Sequence, residues 1–318
     1  MSGTFVRCGD RDSLATALDG ARASGERVAF VPTMGALHHG HLELVARAAT
    51  LAPAVVVSIF VNPTQFDAAA DLAAYPRTLD ADLALLEDAA ARIGARLVAY
   101  VPTVADVYPD GPATTIHIDG VTEHLCGASR PGHFDGVATV VDALLRAVRP
   151  DVLVMGRKDH QQLVVVRRLV VEHGHAVVVD AAPTVRDADG IAVSSRNRLL
   201  DDAARVVARR IPRALAAGIA LVRTARASGD LVDPRALLAA ARAVLDGPGL
   251  RIDYLEAVDP DRLEPVDGPL PADHPLLLAV AVHVDSAHPD APPTVRLIDN
   301  VLLGDEEDEQ RLLDALGH

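Results

Sequence analysis

The strongest chemical signal in this chain is the stretch Val31-Pro32-Thr33-Met34-Gly35-Ala36-Leu37-His38-His39-Gly40-His41. It joins an apolar, strand-like run to a helix-like run. A strand, a glycine turn and a helix start bring backbone N–H groups and the positive end of a helix to one place, which suits a phosphate. His38 and His41 stand three apart with Gly40 between them, so both imidazoles reach one side of the turn. There they can hydrogen-bond phosphate oxygens and offset charge as a phosphorus centre becomes pentacovalent. A metal pair is the competing reading, but zinc needs a third protein ligand nearby, and the adjacent Gly and Pro supply none. His39 is expected to be exposed. Far downstream, Ser194-Ser195-Arg196-Asn197 follows a turn at Gly190. Two hydroxyls and a guanidinium on one loop can close over phosphates and exclude water. The same serines also read as a helix N-cap ahead of Leu199. An early His-x-Gly-His element with a late small-polar-plus-basic loop is the pattern of nucleotidyl transfer at an α-phosphate.

Two further groups belong with these. Lys158 and Asp159 follow a strand-like run. A lysine there reaches phosphate oxygens as a mobile point charge, and Asp159 suits a ribose hydroxyl, although a lone Lys-Asp also reads as a surface ion pair. The amides Gln161-Gln162 come next and suit a polar ligand with hydroxyls and a carboxylate. Gln65 follows Asn62-Pro63, a turn signal.

The elements that must position these residues alternate. Residues 27–31, 54–60, 97–101, 151–155 and 176–181 read as strands, and 54–60 is apolar almost throughout, as in a sheet buried on both faces. Residues 41–50, 79–93, 134–148 and 161–173 read as helices. The second has Leu79, Leu83, Leu86 and Ala90 at helical spacing, and the third has Val137, Val141, Leu144 and Val148 before Pro150 stops it. Alternation of this kind predicts an α/β fold, a doubly wound parallel, Rossmann-like sheet. Ligands of such sheets lie at the carboxyl ends of the strands, near the switch point. The motifs after 31, 59 and 155 all follow strands and are therefore expected at one edge. The pattern changes around Pro183. Helices over 201–228 and 234–245 precede strands over 251–258, 276–283 and 294–298, which predicts a smaller α+β domain, with loops over 259–273 and 285–293. The expected division is residues 1–183, then 184–302, then an acidic C-terminal tail over 303–318, of which 304–318 reads as a partly ordered helix or tail.

Composition narrows the classes. The chain has 318 residues, half of them apolar, a net charge of −14 and 3% aromatic residues with no Trp. That balance opposes a nucleic-acid partner, which asks for a basic face or a stacking platform. An acidic enzyme still handles anions if Lys158, Arg130, Arg196 and histidines gather in its cleft. No stretch reads as a membrane span, and no secretory signal is apparent at the start. Cys8 and Cys126 lack metal-ligand spacing and are expected as reduced thiols in a cytoplasmic protein.

Several segments, in order along nearly the whole chain, resemble the pantoate–β-alanine ligase family of ATP-dependent nucleotidyltransferase-type enzymes. They are Pro32-Thr33-Met34-Gly35-Ala36-Leu37-His38-x-Gly40-His41, Ile59-Phe60-Val61-Asn62-Pro63-Thr64-Gln65-Phe66, Tyr75-Pro76-Arg77-Thr78 and Arg130-Pro131-Gly132-His133-Phe134. They continue with Gly156-x-Lys158-Asp159-x-Gln161-Gln162, Ser194-Ser195-Arg196-Asn197, Asp253-Tyr254 and Arg296-Leu297-Ile298-Asp299-Asn300. The resemblance implies condensation of pantoate with β-alanine through a bound pantoyl adenylate, with ATP as substrate and Mg2+ required. It implies ATP contacts at Pro32, Thr33, Met34, His38, His41, Gly156, Lys158, Asp159, Ser194, Ser195 and Arg196, with His38, His41, Lys158 and Arg196 catalytic. It implies that Gln65 and Gln162 bind the hydroxyls and carboxylate of pantoate with Arg130, and that Val140 and Val141 face its methyl groups, positions that read equally as helix core. A homodimer is implied as well. An acidic residue lies near the metal in the family segment matching Tyr75 onward. Here Asp82 is the expected metal residue, and Asp80 suits a helix N-cap. The chain departs from the family pattern at Cys126, where an acid is frequent, at Asp135, and at Val193, where Met is common. None of these removes a polar group assigned to chemistry. Another adenylyl- or cytidylyltransferase with a different acceptor would share the His-x-Gly-His string. A catalytically silent nucleotide binder would lack one of His38, His41, Lys158 or Arg196, and all four are present.

Overall fold

Six short strands form one parallel sheet: β1 (Thr4–Cys8), β2 (Val28–Thr33), β3 (Ala54–Ile59), β4 (Arg96–Tyr100), β5 (Val152–Gly156) and β6 (Val178–Ala182), in spatial order β1-β4-β3-β2-β5-β6. The computed structural model describes residues 3–65, 72, 75–109, 111 and 115–317. Phe66, part of one matching segment, lies outside the described residues. Every residue of β3 is buried, as its unbroken apolar run requires. The strand β1 and the helix Arg11–Ala23 were not among the expected elements; the helix buries Leu14, Leu18 and Ala21 at helical spacing, whereas β1 gives no such signal. The reason is position: β1 is an edge strand in which only Cys8 is fully buried, so it needs no apolar run. Both cysteines are free thiols.

Successive strands run outward from β2 to β3 and β4, and the chain then returns to place β5 on the other side of β2. That reversal puts a topological switch point at the carboxyl ends of β2 and β5. The two strands pair only at Ala29–Val152 and Phe30–Leu153, so their ladder ends before those carboxyl ends. The helices His39–Leu51 and Leu79–Ile93 press apolar side chains onto the sheet in a core that includes Val45, Ala48, Leu86 and Ala90. The helix His133–Val148 is longer and more apolar, with eleven buried positions that include Val140 and Val141.

Chain contacts divide into two compact units. The first comprises Met1–Thr122, Arg130–Arg157 and Gln162–Ala182; the second comprises Glu123–Ser129, Lys158–Gln161 and Pro183–His318. The second unit opens its strands with a two-residue piece, β7 (Leu231–Val232), which pairs with another, β9 (Leu270–Pro271), inside the loop expected over 259–273. Its main sheet is antiparallel: β8 (Leu250–Val258), β10 (Leu276–Asp285) and β11 (Thr294–Leu303) stand in the order β11-β10-β8. The helices Asp202–Ala208, Arg210–Ser228 and Pro234–Leu245 complete this unit's core, with Leu215, Ile219, Leu237, Leu278 and Val280 buried. Among the described residues no helix is long and apolar enough to cross a membrane.

Of the helix or tail expected at the acidic end, the structure has the helix, and it packs into the second core. Residues Glu306–Ala315 form a helix capped by Asp305, and Leu312 is 1% exposed within the core. Glu309 is wholly buried and accepts from Arg223 and Arg226, at 3.3 and 3.2 Å. The run of acids hid this role: four of them occupy the first turn, where negative charge favours the helix N-terminus. Leu312→Ala is therefore expected to destabilise the protein by about 2–4 kcal/mol, the cost of emptying a buried leucine site. Denaturant unfolding reads this directly, and a loss inside experimental error would restore the tail.

Candidate active site

The chain leaves β2 at Thr33, whose Oγ1 donates to Ser58 O (2.6 Å) and accepts from Gly35 N–H (3.2 Å). It then turns through Gly35 at φ 80° and Ala36 at φ 50°. Positive φ is costly for alanine, so something must hold it. Asp82, on the first turn of Leu79–Ile93, does so. Its Oδ2 accepts Ala36 N–H at 2.9 Å, and its Oδ1 accepts Leu37 N–H at 2.8 Å and the Thr78 hydroxyl at 3.2 Å. The carboxylate is 2% exposed.

Asp82 is also the residue expected near the metal, and both of its oxygens are engaged by donors of the chain. The expected cap at Asp80 is corrected: Thr78 is the N-cap residue of Leu79–Ile93.

With the turn fixed, His38 becomes the extended N-cap of His39–Leu51, at φ −141°. His41 sits one turn on, and its ring stacks on that of His38 with centroids 4.0 Å apart. The His38 N–H donates to His41 Nδ1 at 3.4 Å, so a neutral His41 carries its proton on Nε2. Two half-buried imidazoles and the first amides of a thirteen-residue helix thus converge at the carboxyl end of β2, an arrangement whose chemistry suits an anion. His39 is exposed, beside Glu43.

The same loop reaches a second polar group. Gln65 Nε2 donates to Met34 Sδ at 2.8 Å. Asn62, 1% exposed, fixes this glutamine: its Nδ2 donates to Gln65 Oε1 (3.2 Å) and Gly136 O (3.0 Å). Its Oδ1 accepts from the Tyr108 hydroxyl at 2.9 Å. Burial pushes the Tyr108 phenol up, against the opposing hydrogen bonds to Thr64 and Asn62, so it remains a donor at neutral pH. Helix His133–Val148 approaches so closely at Gly136 that a Cβ there would lie 2.5 Å from Thr64 O. Arg130 and His133 both reach Gln65 O, at 3.4 and 2.9 Å. Val140 and Val141 are buried on this helix, and Gln162 is half-buried near the start of His160–Glu172. Pro32 is half-buried within β2, and Gly156 closes β5.

In the second unit, Lys158, Ser194 and Arg196 line one shallow pocket together with Asn197, Arg296 and Asp299. Ser195 and Asp159 are outside that lining; Asp159 pairs with Lys158 at 3.3 Å. Ser194 also caps the short 3-10 helix Ser195–Leu199, accepting from Arg196 N–H at 3.3 Å. Gln161 is used internally, accepting from Cys126 N–H (2.9 Å) and donating to His124 O (2.8 Å), so only Gln162 of the amide pair is left for a ligand. Cys126 lies 3.3 Å from the Tyr254 hydroxyl, whose pKa is raised by burial and by the thiol. The sequence reading missed the roles of Asn62, Tyr108, Gly136 and the loop-holding function of Asp82. Asn62 lay inside a quoted segment, but only tertiary contact shows what its side chain joins.

Comparison with known proteins gives one consistent answer. The family described as Pantoate-beta-alanine ligase matches residues 8–302. A protein named pantothenate synthetase from Pseudomonas aeruginosa is 47% identical over 295 residues, covering 91% of this chain and 95% of its own. A pantothenate synthetase of a Mycobacterium species is 46% identical over 282 residues, 88% of this chain and 82% of its own. Among solved structures, pantothenate synthetase from Thermus thermophilus aligns with a TM-score of 0.78 at 41% identity, covering 93% of this chain and 98% of that one. The ligase of Francisella tularensis, solved with β,γ ATP and β-alanine, aligns at 0.70 and 28% identity over 94% of this chain and 98% of its own.

The hold of Asp82 on the loop is directly testable. Asp82→Asn replaces one acceptor with an amide that cannot take a backbone N–H, and is expected to destabilise by about 1–3 kcal/mol. Hydrogen exchange should then show faster exchange at Ala36 and Leu37 amides than in the wild type, while β3 and β4 stay protected. Unchanged protection at both amides would show that the loop stands without the carboxylate.

Proposed function

The chain belongs to the pantoate–β-alanine ligase family, and from that membership we propose the following course for its reaction. It condenses pantoate with β-alanine, consuming ATP, as a pantothenate synthetase does. The observation that carries this reading is that one loop serves both halves of the chemistry: Met34 touches Gln65, while His38 and His41 open the adjoining helix. A carboxylate acceptor and a triphosphate have to meet over such a loop.

In the first step a pantoate carboxylate oxygen attacks the α-phosphorus of ATP, and the bond to the bridging oxygen breaks with release of pyrophosphate. In the second, the β-alanine amine attacks the acyl carbon of the pantoyl adenylate, AMP leaves, and the nitrogen loses a proton. No protein nucleophile is needed. The work left to the protein is alignment and charge compensation. In the first unit, His38 and His41 are the proposed phosphate contacts, with Pro32, Thr33, Met34 and Gly156 against the nucleotide. Gln65 and Gln162 take the hydroxyls and carboxylate of pantoate with Arg130, and Val140 and Val141 face its methyl groups. In the second unit, Lys158, Ser194, Ser195 and Arg196 meet phosphate oxygens, and Asp159 a ribose hydroxyl.

Magnesium is proposed as the counterion of ATP, held by phosphate oxygens and water as is usual for this ion. Asp82 is the residue proposed to lie near it, and no step is assigned through the metal. A cytoplasmic homodimer without nucleic-acid or membrane partners completes the proposal, on composition and family resemblance.

Pantoate-dependent exchange of labelled pyrophosphate into ATP, without β-alanine, isolates the first step. Exchange that other hydroxy acids do not support is the expected result, and exchange driven equally by any carboxylate would point to a different acceptor. Lys158→Ala is expected to lower the exchange rate about 10²–10³-fold with the fold intact. Near-normal exchange in that variant would remove Lys158 from the phosphate site.

A further inference from the structure

Strand β11 carries an anomaly in its alternation. Val295, Leu297, Val301 and Leu303 all enter the second unit's core, and Asp299, which continues the same series, is 3% exposed. A carboxylate at a core-facing position has to be paired and fully hydrogen-bonded. Here Arg186 supplies a fork: Nη1 donates to Asp299 Oδ2 at 2.7 Å and Nη2 to Oδ1 at 3.0 Å. Nη1 also donates to Gly190 O at 3.1 Å.

Arg186 begins the hairpin that delivers the serine loop. It bridges Ala192 across that hairpin, Val193 N–H donates to Val185 O at 2.9 Å, and Asn197 Nδ2 donates back to Ala192 O at 3.0 Å. Ser194 and Arg196 are enclosed by these bonds, so Asp299 fixes the loop through Arg186. The next residue, Asn300, points to the opposite face of the strand. Its Nδ2 donates to Lys158 O at 2.7 Å. Two consecutive residues thus hold two cationic elements of one pocket, Lys158 and the loop of Arg196, one from each face.

We propose that Asp299-Asn300 is a positioning pair that sets the spacing between Lys158 and the Ser194–Arg196 loop for a polyphosphate chain; this rests on the ATP reading above. Neither residue is assigned a contact with the nucleotide, because the Asp299 carboxylate is taken by Arg186 and the Asn300 amide by Lys158 O. Each acts by fixing backbone whose side chains do, and a general role in folding would not favour phosphates over the rest of the ligand.

The test is a double-mutant cycle read by calorimetric binding of a non-hydrolysable β,γ ATP analogue and, separately, of adenosine. Asn300→Ala is expected to weaken the analogue about tenfold, as for one lost positioning hydrogen bond. Adenosine affinity should change less than about twofold, and in a Lys158→Ala background Asn300→Ala should have no further effect on the analogue. Arg186→Lys is the second arm. It keeps a positive charge opposite Asp299 but loses the fork, and should show the same selective loss for the analogue. Equal losses for analogue and adenosine, or full additivity with Lys158→Ala, would overturn the proposal. A wild-type chain that fails to bind the analogue would instead overturn the ATP reading itself, so the two failures are distinct.

Discussion

The carboxylate of Asp82 accepting the amides of Ala36 and Leu37 is the contact on which the first unit's His-x-Gly-His loop depends. A buried carboxylate is expensive to desolvate, and three donors offset that cost here. In return it holds an alanine at positive φ, a conformation that residue does not choose. Relax that turn and His38 is no longer the helix cap, His41 no longer stacks on it, and Met34 no longer meets Gln65. The contact also joins the end of β2 to the start of Leu79–Ile93, elements 45 or more positions apart in sequence.

The sheet supplies the stage for that contact. A parallel sheet buried on both faces aligns all its carboxyl ends, and the reversal between β2 and β5 ends their ladder early. The His-x-Gly-His loop and the Asn62–Gln65 turn follow β2 and β3, neighbours in full register from Val28–Ala54 to Thr33–Ile59. Their meeting is a consequence of that register. The close approach at Gly136 then seals the other side of Gln65, a place where any side chain would push helix and turn apart.

The second unit uses the same device with other residues. An antiparallel sheet with one face in the core normally excludes charge from that face. Asp299 is tolerated because Arg186 meets it bidentately, just as Glu309 is tolerated by Arg223 and Arg226. In both units buried carboxylates fix short loops, and the loops carry the groups suited to phosphate.

Much of this was legible in the amino-acid order. The alternating strands and helices, the doubly wound sheet and the helices over 79–93 and 234–245 follow from apolar periodicity, which is local and therefore readable. The segments that match the ligase family are local strings and could be read the same way. Missed were the edge strand β1, in which only Cys8 is fully buried, the packing of the helix Glu306–Ala315 into the core, whose acids masked the inward leucines, and the use made of Asp82. A carboxylate reads identically in a sequence whether it binds a metal, caps a helix or holds a loop. Amino-acid order dictates which groups are present and on which elements they ride, because propensity and periodicity act over a few neighbours. Which carboxylate faces which amide is settled by the folded chain alone, because that depends on strand order and register, which bring together residues far apart in the chain.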